Sequence, residues 1–256
     1  MQVFHVALSA AVAAAVPLTA FAAVFDDFST DTSTSYTTAS GRSALAWVTD
    51  PGVGGDPGRF NSTSGTSAAA RNDVTFDVNE GPLVVSVYFL LSSTANLAGG
   101  NLAGIGFGTD VTGILNGGGT IGSSFTIDVR GDGGGQFLRF RNSNASATQV
   151  ISDVVALAAS TWYQVSLGLV ETSPDNYTLT GQLRDWGADG LTGGGLVLSQ
   201  TADYADASFG ANPLFAGFAA RNDIGTLAVD NFSVVPEPAS LALLGLGGLT
   251  LSRRRA

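Results

Sequence analysis

Short apolar runs alternate with clusters of Gly, Ser, Thr, Asn and Asp along this 256-residue chain. No stretch keeps a 3.6-residue period for long enough to make a helix of several turns. Leu83-Val84-Val85-Ser86-Val87-Tyr88-Phe89-Leu90-Leu91 is apolar on nearly both parities, as a central strand covered on both sides should be. From Trp162 to Glu171 the alternation is cleaner. Tyr163, Val165, Leu167 and Leu169 share one face, and Gln164, Ser166 and Gly168 the other. Tyr177, Leu179 and Leu183 continue the pattern after Pro174-Asp175-Asn176, whose residues carry turn chemistry. A hairpin 162–171/176–184 follows.

A second hairpin is predicted for Ser124–Arg130 and Phe137–Arg141 around a Gly-rich turn at 131–136. One register places Val129 by Leu138 and Ile127 by Phe140 on the apolar face. It also places Asp128 by Arg139 and Thr126 by Arg141 on the polar face. A one-residue slip would mix the faces, so the pattern selects this register. Further strands are expected at 24–28, 43–49, 73–79, 102–109, 148–154, 214–220 and 226–234. Many strands with short links predict an all-β fold of two packed antiparallel sheets. Val24-Phe25-Asp26-Asp27-Phe28 is echoed by Ala228-Val229-Asp230-Asn231-Phe232, which predicts that the terminal strands lie side by side. Ala69-Ala70-Arg71-Asn72-Asp73 likewise recurs as Ala219-Ala220-Arg221-Asn222-Asp223.

The two ends depart from this rhythm. Residues 1–22 hold an Ala-rich apolar stretch ending in Ala20-Phe21-Ala22, the pattern of a secretory signal segment cut near Ala22. Its first five residues contain no Lys or Arg, so either the amino group carries the positive charge alone or the natural start lies upstream. At the other end, residues 235–256 run from Pro236-Glu237-Pro238 through the apolar Leu241–Leu251 to Arg253-Arg254-Arg255. The apolar run is much shorter than the roughly 20 residues of a spanning helix. It is expected to form a short hydrophobic helix, a marginal transmembrane anchor with its arginines on the cytoplasmic side.

That hinge, apolar segment and basic cluster resemble the bacterial PEP-CTERM sorting signal. The resemblance implies an exported protein that pauses at the inner membrane. An exosortase-type enzyme would process it near Pro236, Glu237 and Pro238, with Arg253, Arg254 and Arg255 as the stop. The body, 23–234, resembles the concanavalin A-like lectin/glucanase jelly roll through Phe25-Asp26-Asp27-Phe28, Trp162-Tyr163-Gln164-Val165 and Val229-Asp230-Asn231-Phe232. It implies a jelly-roll sandwich and contact with glycans. The paired Glu carboxylates of the family's glycosidases are missing, because Glu80 and Glu171 stand apart in the sequence.

Composition narrows the chemistry. There is no Cys, every basic residue is Arg, and the one His is His5, within the signal segment. Disulfides, thiol nucleophiles, Ser-His-Asp triads and ordinary zinc sites are therefore excluded from the body. The chain has 11 basic and 21 acidic residues; without Arg253, Arg254, Arg255 and Glu237, 8 basic stand against 20 acidic. Such a balance argues against nucleic acid and predicts a negative field that favours cations over anionic ligands.

These residues describe an exported, non-catalytic module of an extracellular polysaccharide matrix, with a glycoside hydrolase on the same fold as the alternative. For glycan contact the candidates are Trp186, in a loop-like Arg184-Asp185-Trp186-Gly187 context, and the polar strand face of Asp128, Arg139 and Arg141. Core packing is the competing reading for Trp186 as well as for Trp47 and Trp162, and solvated surface salt bridging is the competing reading for Asp128, Arg139 and Arg141. No cofactor is implied. A structural Ca²⁺ is the one metal that carboxylates alone could hold, at Asp26, Asp27 and Asp230 if the ends pair. Asp110 with Asn116, or the loop around Asp132, is the other choice.

Overall fold

Alternation becomes architecture in two sheets. The computed structural model describes residues 24–92, 100–115, 122–131, 135–142, 150–221 and 228–236. In chain order the strands are β1 (Val24–Asp26), β2 (Tyr36–Thr38), β3 (Leu45–Pro51), β4 (Pro57–Ser62), β5 (Thr66–Arg71), β6 (Leu83–Leu91) and β7 (Asn101–Gly108). They continue as β8 (Ser124–Gly131), β9 (Gln136–Asn142), β10 (Thr161–Ser173), β11 (Asn176–Asp185), β12 (Gly195–Ala205), β13 (Phe215–Arg221) and β14 (Ala228–Pro236). The large sheet runs β12-β11-β10-β6-β14-β4-β3, with β1 also on β14. The small sheet runs β2-β5-β13-β7-β8-β9. All named strand pairs are antiparallel.

Both expected hairpins form in the expected register. Leu169 faces Leu179 and Val165 faces Leu183 across β10/β11. Val129 faces Leu138, and Asp128 faces Arg139, across β8/β9. The core lies between the sheets. Val165, Leu167, Leu169, Leu179 and Leu183 meet Ile105, Ile127, Val129, Leu138 and Phe140 there. Fit across the gap is close: a Cβ on Gly181 in β11 would run into Ile127 and Phe140 of the small sheet. The echoed ends pair as well, with Phe25 opposite Ser233 and Asp26 opposite Phe232. Arg71 Nη1 of β5 donates to Asp26 Oδ2 at 3.2 Å and so ties the terminal strand to the small sheet.

Several expectations need correction. Residues 73–79 do not form a strand: Phe76 makes one bridge to Leu214, and a 3-10 turn, Val78–Glu80, follows. Asp77 accepts the Asn79 N–H, a local bond that competes with strand pairing. The stretch 148–154 is reduced to a bridge of Ile151 to Arg139, and residues 143–149 lie outside the described residues. β5 and β12 lay hidden in the sequence. Thr66-Ser67-Ala68-Ala69-Ala70-Arg71 has little β-propensity, yet it is buried because both of its faces are covered.

The short hydrophobic C-terminal helix, and the transmembrane helix it would make, are overturned. Among the described residues there is no α-helix, and no helix is long and apolar enough to cross a membrane. The last described element is instead β14. It carries Val235 and Pro236, which the sequence reading gave to the tail, into the ladder opposite Val84 and Leu83. Consecutive β-branched Val234 and Val235 suit a strand beside β6. Residues 1–23, the Gly-rich turn at 132–134, and Glu237, Pro238, Arg253, Arg254 and Arg255 lie outside the described residues.

Candidate functional site

The outer face of the small sheet is assembled from alternate strand positions. In β8, Phe125, Ile127 and Val129 turn into the core, so Thr126, Asp128 and Arg130 turn outward. In β9 the same logic sends Arg139 and Arg141 out beside them. Next door, β7 places Gly104, Gly106 and Gly108 on this face, where a Cβ would strike Asp128, Thr126 and Ile114 respectively. Bare backbone there lets the segment 109–115 fold back over the sheet. Ile114 and Leu115 settle on Ala68, Ala70 and Ala219, and the Ser40 N–H donates to Thr112 O at 2.9 Å.

That cover changes the status of the polar residues. Asp128 is 1% exposed and Arg139 8%, where a solvated face was expected. Arg139 Nη2 donates to Asp128 Oδ2 at 2.6 Å, and Arg141 Nη1 lies 3.7 Å from the same oxygen. Asn101 Oδ1 accepts from both Arg130 Nη1 (3.1 Å) and Arg139 Nη2 (3.0 Å). Arg42 reaches in from far along the chain and donates its Nε–H to Leu115 O at 2.8 Å.

Five arginines thus share one neighbourhood. Burial holds Arg42 below its usual pKa; Asp128 pulls it back up, while Arg141 and Arg221 depress it further. Burial likewise lowers Arg130, and Arg139, Arg141 and Arg221 repel it against the attraction of Asp128. Asp128 attracts both groups. A shallow recess among Arg42, Thr66, Asn101, Asp128, Arg141 and Ala219 opens here.

Trp186 is not part of it. Its indole lies on the outer face of the large sheet, against Tyr88 with ring centroids 5.7 Å apart. Nε1–H donates to Gln164 Oε1 at 3.3 Å. Together with Val53, Trp162, Ala228 and Leu90 it forms a small satellite core. Trp162 packs in this outer cluster, and Trp47 packs inward with its Nε1–H on Phe28 O at 2.8 Å.

The three carboxylates considered for Ca²⁺ are each engaged separately. Asp26 accepts from Tyr36 Oη (3.1 Å), Arg71 and the Phe28 N–H. Asp27 accepts the Ser29 N–H. Asp230, fully buried, accepts the Val53 N–H at 2.6 Å and the Asn231 N–H at 2.8 Å. Gly52 makes room for it, since a Cβ there would collide with its carboxylate. Among the described residues no group of three or more carboxylates is arranged to hold a metal. Burial pushes Asp230 up to about 7, overriding the two amides that favour its anion.

Of the carboxylates relevant to hydrolysis, Glu80 is exposed at the end of its 3-10 turn. Glu171 accepts the Asp175 N–H in the β10/β11 turn. Neither occupies the apolar, desolvated setting of a glycosidase general acid.

Sequence reasoning found Asp128, Arg139 and Arg141 but missed Arg42, Asn101, Arg130 and Arg221. Arg130 was within reach, since it shares the parity of Asp128 in the same strand. The others arrive from remote strands and loops.

Comparison with known proteins agrees with this architecture. Residues 234–256 match the family model described as PEP-CTERM protein-sorting motif. No curated protein matches the chain. Among solved structures, the lectin UEA-II complexed with galactose is similar at a TM-score of 0.53 and 10% identity, covering 84% of this chain and 98% of the lectin. Lectin II from Ulex europaeus gives 0.50 at 10% identity over 84% and 98%. The globular domain of T. cruzi calreticulin gives 0.51 at 10% identity, covering 86% of this chain and 90% of that domain. The chain therefore joins a PEP-CTERM sorting motif to a lectin-like jelly-roll sandwich, and the motif marks it for export to the cell surface or beyond.

Proposed function

We propose that this is a non-catalytic, surface- or matrix-associated protein that holds extracellular polysaccharide on the outer face of its small sheet. The observation that carries the reading is the joining of a sorting motif at 234–256 to a lectin-like sandwich with a built polar face. Guanidinium and amide groups fixed by Asp128, Asn101 and Leu115 present planar hydrogen bonding of the kind that orients saccharide hydroxyls. A body without Lys, Cys or any His but the one in the signal segment supports binding over catalysis. Trp186, a candidate from the sequence, would act on the opposite face, as a separate contact.

The sorting step belongs to the same proposal. An exosortase-type enzyme receives the chain at the inner membrane and acts near Pro236-Glu237-Pro238, beyond which Arg253–Arg255 are lost. Because β14 runs to Pro236, the folded body abuts the processing site directly.

Mass spectrometry of the surface form and a glycan array on that form test the two halves. The expected surface form lacks Arg253–Arg255 and binds one class of polysaccharide. An intact C-terminus in cells that have the processing enzyme would defeat the sorting half. An array without any signal would defeat the binding half.

A further inference from the structure

We propose that the processing enzyme docks on the folded body through an apolar patch of Phe25, Val84, Val170 and Val235, on the outer face of the large sheet. This rests on the sorting reading above and adds the surface by which that partner recognises the body. Three of the seven large apolar side chains exposed among the described residues lie here: Phe25 at 66%, Val235 at 42% and Val170 at 38%.

Strand register gathers them. In β1, Val24 and Asp26 turn inward, so Phe25 stands outward, opposite Ser233. Val235 shares that face two residues on, since Phe232 and Val234 fill the core. Val84 lies directly across from Val235, and Gly168 of β10 across from Val84. Val170 takes the next outward position of β10. Opposite and diagonal neighbours of this kind lie about 5–8 Å apart, within reach of an aromatic ring. Apolar side chains gathered on an open face mark an interaction surface, unlike single scattered ones.

The position of the patch names its occupant. The sorting motif begins at 234, so Val234, Val235 and Pro236 belong both to the motif and to β14. Pro236 is the last residue in the ladder, opposite Leu83. An enzyme that closes on Glu237 or Pro238 therefore meets the sheet within two residues, at most about 7 Å of extended chain. A specific interface of about 800 Å² per partner reaches roughly 16 Å from its centre. β1 and β6 lie one strand from β14, and β10 two, about 5 and 10 Å away. The whole patch falls within that footprint.

An anionic lipid surface fits less well. Glu80 is exposed and lines one recess with Pro236. Asp203, also exposed, accepts from Thr178 Oγ1 at 2.6 Å, and Thr178 is the strand partner of Val170. In a chain of net charge −10 these carboxylates repel anionic headgroups. A protein partner with an apolar ledge meets the patch without that cost.

The test follows the full chain in bacteria that possess the processing enzyme, with pulse-chase and mass spectrometry reading the ratio of unprocessed to processed protein. Phe25→Ser and Val170→Ser should each slow the loss of Arg253–Arg255 at least fivefold. Phe25→Leu keeps an apolar contact and should restore most of the rate. Leu196→Ser, on β12 and 53% exposed, should change nothing. The replaced side chains are exposed, so all variants should melt with the wild type. Val170 is remote in the chain from the expected cut near Ala22, which separates its effect from one on the signal segment.

A wild-type chain that keeps Arg253–Arg255 would overturn the sorting reading itself. Wild-type processing of both Phe25→Ser and Val170→Ser would overturn the docking surface and leave sorting intact. Slowing that follows a lowered melting temperature would overturn it as well. With processing unchanged, a dimer that both substitutions dissociate would assign the patch to a second copy. Binding to phosphatidylglycerol vesicles, lost in both variants with processing unchanged, would assign it to lipid.

Discussion

Each sheet buries an aspartate on its outer face, and the two are stabilised in opposite ways. On the small sheet Asp128 lies under the 109–115 segment and meets the guanidinium of Arg139. On the large sheet Asp230 lies under the Gly52–Gly55 turn and meets only backbone N–H groups. The first is paired with a guanidinium 2.6 Å away; the second is driven toward its neutral form, with a pKa of about 7. Burying a carboxylate is costly in both places. The remedy differs because β9 supplies arginines opposite β8, whereas β6 places Tyr88 opposite Asp230.

Removing Asp128 should break this contrast most severely. Asp128→Ala leaves Arg139 buried without its carboxylate and should destabilise by about 3–5 kcal/mol, comparable to Phe140→Ala in the core. Urea unfolding measures both. A loss under about 1 kcal/mol for Asp128→Ala would return the face to the solvated state that the sequence pattern suggested.

Next comes the pH response of Asp230. Its folded pKa exceeds the reference 3.8, so the folded protein retains a proton that the unfolded chain has released between about pH 4 and 7. Stability from this group is highest below that window and is lost as pH rises through it, by about 2–4 kcal/mol in total. Asp230→Asn should flatten that part of the pH–stability curve. An unchanged slope would show that the carboxylate is charged in the fold.

Trp186→Ala should cost roughly 2 kcal/mol, because half of a large ring leaves the contact with Tyr88 and Trp162. Binding at the arginine face should survive it. Smallest is Arg141→Ala, whose exposed side chain should contribute under about 1 kcal/mol to stability. A thermal melt separates that small change from the loss of ligand binding.

Some of this was legible before any coordinates. The β8/β9 register follows from alternation, because a slip would exchange Ile127 and Val129 for Asp128 on the core side. Pairing of the ends could be read from the repeated Phe25-Asp26-Asp27-Phe28 pattern, and the sorting tail from its order of hinge, apolar run and arginines. β5 was not legible, since three alanines in a strand make sense only when Ile114 and Leu115 cover one side of the sheet. The exposure of Asp128 was misjudged for the same reason. Period-two alternation tells which face a side chain takes and is silent on what lies over that face.

By itself, then, the sequence determined the all-β class, the register of the two hairpins and the sorting motif, since these depend on neighbours along the chain or directly across one hairpin. Only the tertiary structure decided which polar positions are buried, and that Arg42 and Arg221 join Arg130 and Arg141. Charge is counted along a chain but acts through space. A net of −10 is compatible with several arginines gathered on one face, because packing brings residues remote in the chain together around a buried partner such as Asp128.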